Sequence, residues 1–388
     1  MPFNAQRERR LLEAARQDGN EDRYFDDLQE AISDGSYKSS DFRIRDLFRQ
    51  FVDDGNEIVE SWSPRHGGGQ SGVRLQEDGV DTAAFANIIG QIVYSEVLDA
   101  FNDPAFLAPL VTRTVPTEFN GEKIPGVARI GDEAESIGEG EAYPIAGVGE
   151  EWIETPETTK RGFIVPVTKE AIFFDRTALV MQRARETSQW LGVNKEKRVL
   201  DVVLGLTDVY RRNGGATTAT YGDNSGSHDW DNLQASNTLQ DWTDIETALL
   251  LFDAMTDPNT GEPILVTPDT LIVPSALAMT ARRIVSATEI REVTNTNTTT
   301  LSGNPLSGGP NLRILSSQYV KARTSSASTW FVGQPTEAFW YMENWPITAV
   351  EAPSNSEMEF THDIVARFKV SERGACAAVE PRRMIKNT

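Results

Sequence analysis

One stretch constrains this chain more than any other. From Gly131 to Thr159 it carries no lysine or arginine, while Asp132, Glu133, Glu135, Glu139, Glu141, Glu150, Glu151, Glu154 and Glu157 load it with nine acids. Glycines at 131, 138, 140, 147 and 149 punctuate it, and short extended pieces, VTRTVPTEF from Val111 and KIPGVARIG from Lys123, lead into it. The pattern predicts a long two-stranded excursion with an acidic, glycine-rich tip, flanked by Lys123 and Arg129 on one side and Lys160 and Arg161 on the other. A two-stranded ribbon alone is marginal in water. This one has few large apolar side chains to bury, so it needs a surface to lie on, in its own domain or on a neighbouring molecule.

Composition narrows what that surface can serve. Lysine plus arginine comes to 37 against 58 for aspartate plus glutamate, a formal net charge of −21, which excludes a general polyanion binder; nucleic acid could be met only through a local basic patch. The 39% hydrophobic and 24% charged fractions are those of a folded chain, and 388 residues set a prior of two or three folding units. Cys376 stands alone, so an internal disulfide framework and a thiolate zinc site are excluded and a reducing compartment is expected. His66, His228 and His362 leave little for metal or acid–base chemistry. No apolar run approaches a membrane span, and the opening MPFNAQRERRLLEAARQ lacks an export leader's apolar core.

The first 60 residues read as short, charged amphipathic helices. Asn4 caps one carrying Leu11, Leu12, Ala14 and Ala15, and Gly19 stops it. Tyr24, Phe25, Leu28, Ala31 and Ile32 form a second stripe; Ile44, Leu47, Phe48, Phe51 and Val52 form a third at i, i+3, i+4, i+7, i+8. Such narrow stripes pack on the rest of the chain or dock as an arm on another subunit. A glycine-rich run, 66–72, separates them from a strong helix holding Phe85, Ile88, Ile89, Ile92, Val93, Val97 and Phe101, capped by Asp81 or Thr82 and ended by Pro104.

Downstream, Asp175 can cap the longest helix, which reads as one element to Leu206, straight or bent at Gly192. Residues 213–238 read as a polar, solvated loop. Thr243 and Glu246 form the T-x-x-E of a capping box opening a helix to Met255. Thr270–Val273 is a strand and Pro274–Ser275 starts a helix; 294–310 is a low-complexity loop. The chain ends in strands, among them the alternating Met358, Phe360, Ile364, Ala366, Phe368 and Val370.

Motifs for chemistry fail on inspection. Ser225, His228 and Asp229 sit too close in one loop to converge as a nucleophile, base and orienting acid. GGGQSG at 67–72 lacks the G-K-[ST] of a phosphate loop. Asp257-Pro-Asn259-Thr-Gly261 lacks the acids of a calcium loop and reads as a turn. Glu133, Glu139 and Glu141 have no aromatic cleft to make them glycosidase acids. His362, in apolar phase, is expected in the core. No cofactor or metal is expected, and no enzymatic activity.

The order of elements carries a resemblance. GEKIPGVARIGDEAESIGEGEAYP (121–144), TKRGFIVPVTKEAIFFDRT (159–177), TPDTLIVPSALAMTARRIV (267–285) and ARFKVSERGACAAVEPRRMIK (366–386) resemble, respectively, the extended loop, the strand entering the spine helix, the strand–Pro–helix of the axial domain and the final strands of the major capsid proteins of tailed bacteriophages, the Hong Kong 97-type shell fold also used by encapsulins. The resemblance implies an α+β, Hong Kong 97-like capsid fold. Residues 1–75 would be an N-terminal helical arm and 76–116 the arm helix leading into the peripheral domain. An extended acidic hairpin loop would take 117–162, the peripheral domain with its spine helix 163–239, the axial domain 240–345, and C-terminal strands of the peripheral domain 346–388.

It further implies a homo-oligomer of hexamers and pentamers, an icosahedral head around double-stranded DNA bound without sequence preference, with scaffolding, portal and decoration proteins as partners. Such a protein resides in the virion after assembly in the host cytoplasm, with no membrane. The inter-subunit surface would use Glu133, Glu135, Glu139, Glu141, Glu150, Glu151 and Trp152 of the hairpin against basic side chains. Candidates are Arg43, Arg45 and Arg49 of the arm and Arg183, Arg185, Lys195, Lys197 and Arg198 of the long helix. An encapsulin-like compartment shell is the alternative within the fold, and a soluble hydrolase with an unrecognised site the alternative outside it.

Overall fold

The structure, a computed structural model, describes residues 3–34, 36–37, 41–52, 55–61, 79–125, 137, 151–223, 230–257, 261–295, 298–308, 311–352 and 361–388. Five helices come first: α1 (Ala5–Gln17), α2 (Glu21–Ser33), α3 (Ile44–Phe51), α4 (Gly55–Ser61) and α5 (Gly79–Phe101). A short α6 (Ala108–Val111) leads into β1 (Arg113–Pro116) and the ribbon strands β2 (Lys123–Pro125) and β3 (Trp152–Glu154). Next come β4 (Thr159–Thr168), α7 (Lys169–Phe173) and the 27-residue α8 (Thr177–Val203). Then follow β5 (Leu233–Gln234), α9 (Trp242–Asp253), β6 (Thr270–Pro274), α10 (Ala278–Ser286) and the hairpin β7 (Glu289–Asn295) and β8 (Thr298–Gly303). The chain closes with β9 (Arg313–Ser317), α11 (Gln318–Thr324), β10 (Trp330–Gly333), α12 (Pro335–Ala338), β11 (Phe339–Glu351), β12 (Ile364–Ala378) and β13 (Met384–Asn387). The architecture is α+β. Among the described residues no helix is long and apolar enough to cross a membrane.

Two compact units share these elements: Met1–Pro104, Lys160–Val193 and Trp345–Arg373 make the first, and Ala105–Thr159, Asn194–Asn344 and Gly374–Thr388 the second. In the first, Asn4 caps α1 as its spacing predicts, Oδ1 accepting the amides of Gln6 and Arg7 at 3.0 and 3.3 Å. The stripe of α3 is fully used: Ile44, Leu47, Phe48 and Phe51 are buried in one cluster with Ile88, Ile89 and Val93 of α5 and with Val165, Val167, Phe368 and Val370 of the strands. Phe48 meets Phe85 edge to face at 5.2 Å between centroids. The leading helices therefore bury these apolar faces in their own chain, the first of the two packings that such narrow stripes allow. Three narrow stripes suffice because α5 and the β4–β12–β11 strands complete the core.

The second unit is built on a five-stranded sheet in the order β5–β13–β10–β6–β9. β6 runs antiparallel to β10 and parallel to β9; every residue of it is buried, so its apolar run Leu271–Val273 is what a strand covered on both faces requires. Trp330, Phe331, Met384 and Ile385 fill this core. Gly333 has no freedom to change, since a Cβ there would lie 2.1 Å from the carbonyl oxygen of Arg383. β1 lies parallel to the start of β11, from Arg113 opposite Trp340 to Pro116 opposite Glu343. At the end of the chain Glu380 and Arg382 form a buried bidentate pair, Oε1 to Nε at 2.6 Å and Oε2 to Nη2 at 2.7 Å.

Several local expectations shift. The capping box of α9 sits two residues earlier than read: Asp241 Oδ1 accepts the Thr243 amide at 2.8 Å and Asp244 Oδ2 accepts that of Asp241 at 3.0 Å. An aspartate reaches this amide with a charged acceptor, which a threonine lacks. α8 runs unbroken through Gly192, but Asp175 lies outside it at φ 50°, holding the Thr177 hydroxyl at 3.0 Å, while that hydroxyl accepts the Ile44 amide at 2.9 Å. After Pro274 the chain makes a 3₁₀ turn over Ser275–Leu277 before α10 begins. The 213–238 stretch is no solvated loop in its described part: Asn232 is fully enclosed, accepting from Gly222 N and donating to the carbonyls of Thr220 and Pro381. His362 is exposed, at hydrogen-bond distance from Thr361, because β12 begins only at Ile364. The 66–72 glycine run, Ser225, His228 and Asp229 lie outside the described residues.

Candidate assembly surfaces

The described base of the ribbon is a clamp within the second unit. β2 and β3 pair antiparallel, Lys123 opposite Glu154, Ile124 opposite Ile153 and Pro125 opposite Trp152. A tight turn with Asn213 at φ 50° and Gly214 at φ 72° presents a third edge. Trp152 N donates to Asn213 Oδ1 at 3.0 Å, Asn213 N to Trp152 O at 2.9 Å, and Glu154 N to Arg211 O at 2.9 Å. Ile153 goes into the core at 3% exposure. The Glu154 carboxylate lies 3.8 Å from Lys123 and 3.1 Å from Arg211, and Lys123 covers the Trp152 ring at 4.7 Å. Glu151 is held by Arg212. On the other side Glu122 N donates to Thr155 Oγ1 at 2.7 Å, and Asn344 donates to the carbonyls of Thr117 and Phe119 at 2.8 and 3.1 Å. Each exposed ion pair is worth only about 0–1 kcal/mol. Ile153 and the backbone ties fix the base.

Glu151 and Trp152, expected on a surface for another subunit, are held by contacts within their own chain. The reason is local: the Asn213–Gly214 turn brings Arg211 and Arg212 beside β3. That turn was legible, because Asn-Gly is the strongest short-range hairpin signal; its sequence distance from the ribbon hid the contact. Glu133, Glu135, Glu139, Glu141 and Glu150 lie outside the described residues.

The basic candidates are partly spoken for as well. Arg185 Nε donates to Glu96 at 2.9 Å; Lys195 lies 3.7 Å from Glu343 and 4.1 Å from the centre of the Tyr341 ring. Lys197 sits over Tyr319 at 6.0 Å, and Arg198 donates to Asn194 at 3.0 Å. Arg45 and Arg49 are half-buried, with Arg45 over Phe173 at 6.0 Å. Arg43 and Arg183 are exposed. The buried Glu196 accepts the amides of Leu107 and Ala108 at 2.9 and 2.7 Å, with burial raising its pKa, and serves as a cap for α6. Among the described residues no three histidines, cysteines or acids are grouped to hold a metal.

The family model described as phage capsid protein matches residues 152–387, more than half of the chain. The chain belongs to the phage capsid protein family. The match starts at Trp152 on β3 and ends at Asn387 on β13, so it takes in α8, most of the second unit's core and the C-terminal strands of this capsid protein, while α1–α5 of the first unit's core lie before it. Among solved structures it is similar to a virus-like particle from Pyrococcus furiosus at 14% identity, covering 76% of this chain and 97% of that one with a TM-score of 0.41. It is also similar to Mycobacterium phage Bobi at 13% identity, 73% and 90% coverage and a TM-score of 0.41. A third is the capsid of an empty GTA particle, at 9% identity, 73% and 89% coverage and a TM-score of 0.44. A sequence comparison with curated proteins finds no match.

Proposed function

We propose that this capsid protein is the shell subunit of a phage head of the Hong Kong 97 type, closing through hexamers and pentamers into an icosahedron around double-stranded DNA. The observation that carries the reading is the family match spanning 152–387, because it covers most of the second unit together with the 160–193 and 345–373 segments of the first rather than one motif. The ribbon base supports it. A segment whose ends are tied to a rigid core by Ile153, Asn213 and Thr155 can transmit a neighbour's grip to the whole unit. In this reading Glu133, Glu135, Glu139, Glu141 and Glu150 remain the docking acids. Glu151 and Trp152 stay in the set although Arg212 and Asn213 already hold them, and Arg43 and Arg183 are the exposed basic candidates with no ion pair among the described residues. A net charge of −21 suits a wall that must contain DNA without binding it tightly.

Co-expression with scaffolding and portal proteins, followed by sedimentation, negative-stain microscopy and measurement of nucleic-acid content, tests the reading. Closed, regular shells able to take up DNA are expected. Shells that hold protein and no nucleic acid would place the chain with encapsulin-like compartments. A chain that stays monomeric at high concentration with every helper present would refute it.

A further inference from the structure

The second unit carries two exposed surfaces of opposite charge, one grooved and one with a projecting apolar side chain. On α9, Glu246, Leu250 and Asp253 stand at i, i+4 and i+7, all exposed, with Leu250 keeping 61% of its surface. Trp242, Leu249, Val266 and Leu306 complete an open groove of about 320 Å³ beside them, and Leu265, next in sequence to Val266 of the lining, is 77% exposed. On α10, Met279, Arg282 and Arg283 stand at i, i+3 and i+4, again all exposed, with Met279 at 73%. Leu265 and Met279 are the two most exposed large apolar side chains among the described residues. An exposed apolar side chain flanked by charges of one sign, facing a groove rimmed by the other sign, suits association between charged surfaces.

The charges are as telling as the apolar groups. Among the described residues none of Glu246, Asp253, Arg282 and Arg283 has an ion-pair partner within the chain. α9 rests against β13, while α10 rests against β6, β9 and the 305–308 turn whose Leu306 lines the far side of the groove. One surface is therefore a groove rimmed by two carboxylates, and the other a flexible thioether flanked by two guanidiniums. Methionine adapts to an irregular groove, and arginine forks onto carboxylates.

We propose that Met279 of one copy of this chain seats in the α9 groove of the next, with Arg282 and Arg283 reaching Glu246 and Asp253. The contact joins unlike surfaces, head to tail, so it repeats around an axis and closes into a ring where the rotation allows. It rests on the shell reading to the extent that this ring is the capsomer.

Two measurements test it in the full chain. L250C and M279C are introduced together; the natural Cys376 is buried and stays out of the reaction. Mild oxidation should give a ladder from covalent dimer to closed ring on a non-reducing gel, with neither single variant giving one. A ladder from a single variant, or none from the pair, overturns the contact. Separately, R282E/R283E and E246R/D253R should each cut the yield of assembled particles at least about tenfold, and the four changes together should restore it to within about threefold. Normal yield from either reversal, or no rescue, also overturns it. Shells that form normally without a ladder refute the contact and leave the shell reading standing. A ladder in rings that never close into shells does the opposite.

Discussion

Tyr221 is buried in the second unit with its hydroxyl donating to Val203 O at 2.6 Å. Burial pushes its phenol well above the ordinary value. Tyr210 is pushed up to about 12, by burial first and then by Glu380, and the Cys376 thiol is pushed up to about 12 by burial against the opposing Arg198. All three are acids enclosed in neutral form, with folded values above the unfolded ones of about 10 for tyrosine and 8.5 for cysteine. Their contribution is whole below the unfolded values and is lost as pH rises towards the folded ones. Stability of this unit should hold to about pH 8 and then fall up to about pH 12, at roughly 1.4 kcal/mol per pH unit for each group ionised only in the unfolded chain. Urea midpoints across that range measure the slope. Y221F should cost about 1 kcal/mol at neutral pH and make the slope above pH 10 shallower; an unchanged slope would show that Tyr221 does not titrate on unfolding.

Elements, rather than single residues, decide the status of the N-terminal region. The 3.6-residue stripe on α3 was plain in the sequence, but a stripe says only that a helix has a partner. The partner, α5 with Val165, Phe368 and Val370, comes from three distant parts of the chain. Phe42, Ile44, Leu47, Phe48 and Phe51 together bury apolar surface worth on the order of 10 kcal/mol, comparable to the net stability of a whole domain. Deleting residues 1–61 should therefore give an insoluble chain that exposes the faces of α5, and not a folded subunit lacking an arm. Soluble yield and near-ultraviolet circular dichroism of the truncated chain check this; a soluble, cooperatively folded product would restore the arm. The capping box teaches the same lesson at shorter range, since Asp241–Asp244 and Thr243–Glu246 both fit the pattern and only the actual turn selects the first.

The molecule as a whole has two cores, each closed within its own unit. Thermal unfolding should accordingly resolve into two calorimetric transitions. Phe48→Ala, removing a ring at 0% exposure, should cost about 3–5 kcal/mol and lower only one of them. A single transition that moves as one would mean that α8, β11 and β12, which run through both units, lock them into one cooperative body.

At this scale the division between sequence and structure is clear. The sequence by itself determined most of the helices, the strand–Pro turn at 270–274, the paired base of the ribbon and the acidity of the segment it carries, because periodicity, turn residues and like charge act over a few neighbouring residues; the short strands inside 213–238 and 294–310 escaped it. Tertiary structure alone decided which surfaces are free. Glu151 is held by Arg212 and Arg185 by Glu96, 61 and 89 positions apart, while Leu250, Leu265 and Met279 are left outside. Burial and ion pairing depend on what the fold brings within a few ångströms, and for partners this distant the linear spacing carries no record of that distance.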